Sequence, residues 1–523
     1  MRSLALLSVL VLTSSCAVAQ DRPTDAVDTS AIRRAAFDAE AKGDHASAAD
    51  AFLRLTELEA TNPEWFLHAG ENLGRASRFN DAMDLLDGAS EKFPAALDLL
   101  VALAQVYHMK ADAMVAEGIQ DINVTFYYQD ASRTAKRVLE VDPDHLKANL
   151  LHASAQFQLG ETDAALAIAE HLVAAHPDDY GSFALLGKIA LQNYVGEKQR
   201  FDRDDPRGTG RGARITELAE AADRAERALA RAAELDAERA YPRIKLGDLD
   251  AWRGDLDAAL VHYRDGLAVE PTTGAIDHSW LRGAVAASDR VAMYEGARSS
   301  YAARPDADPK KTAVIGWYVA QSQYDAGDWK EARRGFEEAL RHRPDFVRTY
   351  YYLVQCCFWS GDEKSAARFA LTFAKDSPRT FADMIRSDAQ ATSLVRGIAQ
   401  TSYEANRLVE SRELNHVLAL AANTVDEWNN YAFLCRETGK YDESFAAYER
   451  ALELEESPQL LNDAAVILQY HLRSEENLAT ARDYYERAIE LAQDLLEAGG
   501  LQDSELDRVR TALRDARSNL GKL

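Results

Sequence analysis

The sequence predicts an all-α protein, an α-solenoid of about 11–12 stacked helical hairpins with a C-terminal capping helix. Three observations carry the prediction. Prolines close helical segments at Pro143 and Pro177, 34 residues apart, and again at Pro344 and Pro378, also 34 apart. Twelve residues before each stands a small residue (Ala131, Ala165, Ala332, Ala366), and the same relation links Ala82 to Pro94 and Ala259 to Pro271. Finally, with 27 glycines and 13 prolines in 523 residues, the chain is poor in the punctuation of a turn-rich all-β protein.

Each element of the unit follows from spacing. Ala332-x3-Phe336-x2-Ala339-Leu340-x3-Pro344 recurs as Ala259-x3-Tyr263-x2-Gly266-Leu267-x3-Pro271 and as Ser444-x3-Tyr448-x2-Ala451-Leu452. Steps of 4, 3 and 1 place these residues on one helix face. The small residue admits a partner helix and the aromatic fills the space beside it. Five residues before the small one comes a glycine (Gly160, Gly254, Gly327, Gly361, Gly439), suited to ending the preceding helix at positive φ. A unit is therefore a helix, a tight turn, a second helix and a proline-marked break.

These residues resemble the tetratricopeptide repeat family. Trp65 and Trp428 match its early aromatic position, Leu246-Gly247 its helix-crossing position, and Trp329 and Tyr441 the position after the turn glycine. Clear units begin near Glu64, Leu146, Ala240, Ala313, Val347 and Val425, and weaker ones cover 31–63, 274–307, 392–423 and 458–492. Two more are interrupted by insertions near 111–126 and 192–214, the second read as a loop. The layout expected is a short linker at 20–30, an N-terminal array at 31–307, a C-terminal array at 308–492 and a capping helix in 493–523. The resemblance implies a right-handed superhelix whose concave face, built from the first helix of each unit, binds peptides or proteins. A length-based count of about three separate domains gives way to one repeating array.

The chain opens with Met1-Arg2-Ser3 and a short apolar run, Leu4–Leu12, which reads as a secretory signal in 1–19. Two processing routes are open: cleavage after Ala17-Val18-Ala19, or lipidation of Cys16 after Thr13-Ser14-Ser15, a loose bacterial lipobox. No later run of eighteen apolar residues occurs. The expected location is outside the cytoplasmic membrane, periplasmic or extracellular, with membrane attachment only through a lipid on Cys16. Cys356, Cys357 and Cys435 read as buried apolar thiols, with a Cys357–Cys435 disulfide as the alternative.

A net charge of −25 argues against a nucleic-acid partner. The sequence holds no HExxH, CxxC or GxSxG. His171 and His176, five apart, fall on different helix faces, and Gly208-Thr209-Gly210-Arg211-Gly212 lacks the P-loop lysine. The expectation is a protein that is not an enzyme, without cofactor or metal.

Carrying the family's groove positions onto this chain gives Trp317, Tyr318, Gln321 and Tyr324 from the unit at Ala313. The next unit gives Arg348, Tyr351, Tyr352, Gln355, Phe358 and Trp359. Beyond it come Arg396 and Gln400, then Asn429, Asn430 and Arg436, then Asn462. The resemblance thus implies seven aromatics on two adjacent helices with amides between them, suited to an extended peptide or, alternatively, a polysaccharide. Packing against neighbouring repeats is the competing role for those rings. The functional expectation is a protein- or peptide-binding adaptor of the bacterial cell envelope, or else a structural part of an envelope export or polysaccharide-secretion assembly.

Overall fold

The computed structural model describes residues 29–119, 121–205 and 212–523. The expected signal in 1–19 with Cys16, residues 20–28 of the linker, and most of the Gly208–Gly212 loop lie outside them. Among the described residues every regular element is a helix, and the chain divides into two compact units at Leu235/Asp236.

The first unit stacks five hairpins: α1 (Thr29–Ala41) with α2 (His45–Leu58), α3 (Pro63–Arg75) with α4 (Phe79–Lys92), α5 (Leu97–Ala116) with α6 (Ile122–Leu139), α7 (Leu146–Gln158) with α8 (Thr162–Ala175), and α9 (Tyr180–Asp204) with α10 (Gly212–Leu235). The insertion near 192–214 is mostly helical where described: α9 runs on for 25 residues and α10 for 24, each packed along the other. The extra residues near 111–126 lengthen α5 and α6 in the same way.

The second unit continues with α11 (Tyr241–Arg253) and α12 (Leu256–Val269), α13 (His278–Ala284) and α14 (Ala287–Ala302), α15 (Pro309–Asp325) and α16 (Trp329–His342), and α17 (Thr349–Trp359) and α18 (Glu363–Asp376). After a short α19 (Pro378–Ile385) follow α20 (Ala389–Glu404) and α21 (Leu408–Ala422), α22 (Val425–Glu437) and α23 (Tyr441–Leu454), and α24 (Pro458–Tyr470) and α25 (Glu475–Ala498). Finally α26 (Asp503–Leu520) packs on α24 and α25.

The repeat residues act as their spacing requires. Ala82, Ala131, Ala165, Ala259, Ala332 and Ala366 are buried, as are Tyr263, Phe336 and Tyr448 beside them. Gly160, Gly254, Gly327, Gly361 and Gly439 all have φ between +74° and +86°, where a Cβ would be strained. Helices start on side-chain caps, among them Asp44, Asn62, Asp179, Asp308, Asp362, Asp388 and Thr424. Cys356, Cys357 and Cys435 are free and buried, so the Cys357–Cys435 disulfide is absent.

The junction after α18 departs from the repeat, as does the one after α12, which packs on α14 past the short α13. Elsewhere a second helix commonly packs on the first helix of the next hairpin, as α16 does on α17 and α21 on α22. Here α18 packs instead on α19 and α21. Phe381, Ala382 and Ile385 of α19 enter a core with Phe373, Val417 and Leu418, the Phe373 and Phe381 rings stacked at 4.5 Å. The wedge of α19 holds α20 away from α18 and leaves a cleft between them.

Candidate functional site

The aromatics singled out in the sequence come together in the second unit as one connected set. Tyr318 stacks on His278 at 3.7 Å and meets Trp317 edge-on at 5.2 Å. Trp317 and Tyr324 both contact Tyr352, Tyr324 contacts Trp329, and Trp329 reaches Trp359, which abuts Phe358. Edge-to-face pairs of this kind contribute roughly 0.5–1.5 kcal/mol each beyond burial.

Most of their polar tips are engaged internally. Trp317 Nε1 donates to Thr349 Oγ1 at 2.9 Å, and Gln321 Nε2 to the Tyr352 hydroxyl at 3.2 Å. The Tyr324 hydroxyl donates to Gln355 Oε1, and that of Tyr351 to Asp388 Oδ2 at 2.6 Å. Tyr352 and Gln355 are buried, while Trp317, Tyr318, Gln321, Tyr324 and Tyr351 are half-buried. Phe358 and Trp359 alone among these seven rings are exposed, at 37% and 45%.

The polar candidates separate. Arg348 is exposed on its own beside a smaller hollow of about 330 Å³ bordered by Trp317, Tyr318 and Phe346. Arg396 is paired with Glu427 at 2.7 Å, Gln400 donates to Glu404, and Arg436 lies over Phe433 and pairs with Glu437. Asn430 is exposed and Asn429 half-buried. Asn462 is buried against α26, where it accepts from Asn519.

Phe358, Trp359 and Gln355 converge on the cleft made by α19. Its volume is about 650 Å³, within the size range of ligand sites. Glu363, Ala366 and Ala367 of α18 form one wall; α20, from Ala389 to Thr401, forms the other, with Arg407 at the edge. Arg407 is paired with Glu410 at 2.7 Å, whereas Glu363 has neither ion pair nor side-chain hydrogen bond among the described residues. Sequence reasoning missed the α20 wall and Glu363, since neither belongs to a groove position of the repeat.

The first unit holds an arrangement that the sequence did not disclose. His108 Nε2 lies 2.8 Å from Ser154 Oγ and its Nδ1 3.1 Å from Asp112 Oδ2, which order matches a serine–histidine–aspartate triad. The Tyr128 hydroxyl also donates to Asp112 at 2.6 Å. Ser154 stands inside α7, where the surrounding amides are consumed by helical hydrogen bonds and provide no oxyanion donors. The arrangement is a polar clamp joining α5, α6 and α7. Among the described residues no group of three metal-ligating side chains gathers, and no helix is long and apolar enough to cross a membrane.

Three tetratricopeptide repeat models match the chain, over residues 128–189, 320–379 and 428–458. The chain therefore carries tetratricopeptide repeats over these three stretches. No curated protein matches it. Among solved structures, residues 41 to the end of MamA from Desulfovibrio magneticus RS-1 align at 17% identity over 40% of this chain and 94% of that one, with a TM-score of 0.28. YrrB, described as a tetratricopeptide repeat protein with an unusual peptide-binding site, aligns at 16% identity over 45% and 98%, with a TM-score of 0.29. A Naa15/Naa10 complex bound to HypK-THB aligns at 12% over 94% and 78%, with a TM-score of 0.31.

Proposed function

We propose that the chain is a non-catalytic scaffold of the bacterial cell envelope that holds a protein or peptide partner on the second unit, across α15, α17 and α20. One observation carries the reading: two large rings, Phe358 and Trp359, stand exposed at an apolar cleft while their neighbours are packed and hydrogen-bonded within the fold. Exposed aromatics over a cavity are the usual anchors of a protein interface, because they bury much area at little entropic cost. The repeat supplies the framework, a stack of rigid hairpins presenting one surface. The apolar run at Leu4–Leu12 supports a location beyond the cytoplasmic membrane, with Cys16 as the place for a lipid if one is attached.

The test is partner capture by the full chain from envelope extracts, compared with the Trp359→Ala and Arg348→Ala variants, each checked for unchanged helicity. Loss of the same captured protein with Trp359→Ala is the expected result. Capture indifferent to both variants would remove the assignment. A second reading, a structural part of a polysaccharide-export assembly, rests on the same exposed rings together with Tyr403. Retention of the chain on immobilised polysaccharide, lost with Trp359→Ala, would favour it.

A further inference from the structure

Resting on the scaffold reading, we infer that the cleft between α18 and α20 receives an amphipathic α-helix of the partner carrying Lys or Arg beside its apolar face. Three independent features of the cleft point to that occupant.

The first is an orphaned donor. Gln355 is 8% exposed and lines the cleft. Its Oε1 accepts from Tyr324, whereas its buried Nε2 meets no acceptor in good hydrogen-bond geometry among the described residues, the Tyr351 hydroxyl being a weak contact. A buried amide left unmatched is destabilising. The amide would have to shift toward the cleft to meet an occupant's acceptor, and an occupant that supplies one there recovers that cost. The carbonyls of a helix's last turn lack partners of their own and would serve.

The second is the shape of the α20 wall. Ser393, Gly397 and Thr401 recur every four residues and all line the cleft, flanked by Leu394 and Ile398. A glycine inside a helix is less favourable than alanine. At Gly397 no packing offsets this, because nothing lies within 4 Å of where a Cβ would stand. Gly247, by contrast, is explained by the Tyr263 ring pressed against it. Small residues at this spacing let a second helix backbone come close, with Leu394, Ile398 and Phe358 left to take its apolar side chains.

The third is charge. Glu363 on the opposite wall has no counter-ion among the described residues, the cleft's own arginine is committed to Glu410, and the whole chain carries −25. A cation beside the exposed Trp359 ring gains from both the carboxylate and the ring face. An acidic helix would meet Glu363 uncompensated.

The experiment uses the full chain and two displayed libraries of amphipathic helices about 20 residues long, sharing one apolar face but flanked by Lys/Arg or by Asp/Glu. Selected binders are then measured against Gly397→Leu, Glu363→Lys and Gly397→Ala. The inference expects binders from the basic library, weakened about tenfold or more by Gly397→Leu and by Glu363→Lys. Gly397→Ala, which fits the empty space, should raise the melting temperature and so separate lost binding from lost folding. Binders drawn from the acidic library, binders indifferent to Gly397→Leu, or no binders in either library would overturn it. Binders indifferent to Gly397→Leu but lost with Arg348→Glu would refute the cleft alone and leave the scaffold reading standing.

Discussion

The Tyr351 hydroxyl donates to Asp388 Oδ2 at 2.6 Å, tying α17 to the residue that caps α20. Asp388 Oδ1 accepts at the same time from the amides of Gln390 and Ala391, both at 3.0 Å. One carboxylate thereby fixes the entrance of the cleft wall. Burial pushes the Asp388 carboxyl up, but the Tyr351 hydroxyl and the two amides outweigh it, so its pKa lies below the ordinary value. A lowered carboxyl contributes stability above its unfolded pKa, near 4, which is lost as pH falls through the folded value. Asp388→Ala should cost about 1–2 kcal/mol at neutral pH, and the difference from wild type should shrink at pH 3, as read by denaturant melts at both pH values.

A buried ion pair makes a sharper stability test. Arg290, 4% exposed, donates to Asp325 at 2.8 Å and also to Val285 O and Ser322 Oγ. Arg282 holds the same carboxylate from the solvent side. Removing one member of such a pair strands the other, at a cost of about 3–5 kcal/mol. Asp325→Ala should approach that loss in chemical denaturation, whereas Arg282→Ala, at the exposed end, should cost about 1 kcal/mol or less.

Close helix crossing predicts a different kind of loss. A Cβ on Gly247 would stand 2.7 Å from two ring carbons of Tyr263 and 3.1 Å from the Ala259 carbonyl. Gly247→Ala should therefore destabilise the second unit by about 1–3 kcal/mol despite alanine's better helix propensity. Pairing it with Tyr263→Leu should recover part of the loss, which a double-mutant cycle would measure.

The thiols make a chemical prediction. Burial pushes Cys356 up to about 12 and Cys357 and Cys435 up to about 11. At neutral pH all three are protonated and enclosed, so an aromatic disulfide reagent should label none of them in the native protein and all three after denaturation. Peptide mapping of the labelled sites checks this directly.

The repeat was legible because each of its residues answers a separate physical demand: Ala332 for close approach, Phe336 for filling, Gly327 for positive φ, Pro344 for the break. The turn glycines and buried alanines stand where their spacing put them. The junction after Pro378 was not legible. Eight residues of α19 hold about two turns, too few for a periodic signal, and Phe381, Ala382 and Ile385 show their role only once the core around them exists. The second insertion reads as a loop in the sequence because its glycines and charges mask two helices that extend along each other. At the candidate site, family positions located Phe358 and Trp359, but position alone does not separate an exposed ring from Tyr352, packed on Phe336 at 5.1 Å. Glu363 and Gly397 escaped notice because their meaning depends on the space that α19 opens.

Whether a partner is held at the exposed rings of the second unit is decided by site-specific photo-crosslinking in the producing cell. A photoreactive phenylalanine analogue replaces Trp359 in one version and the exposed Arg334 of α16 in another. A discrete crosslinked partner is expected from position 359 and none from position 334. Crosslinks of equal yield at both positions, or none at 359, would contradict it.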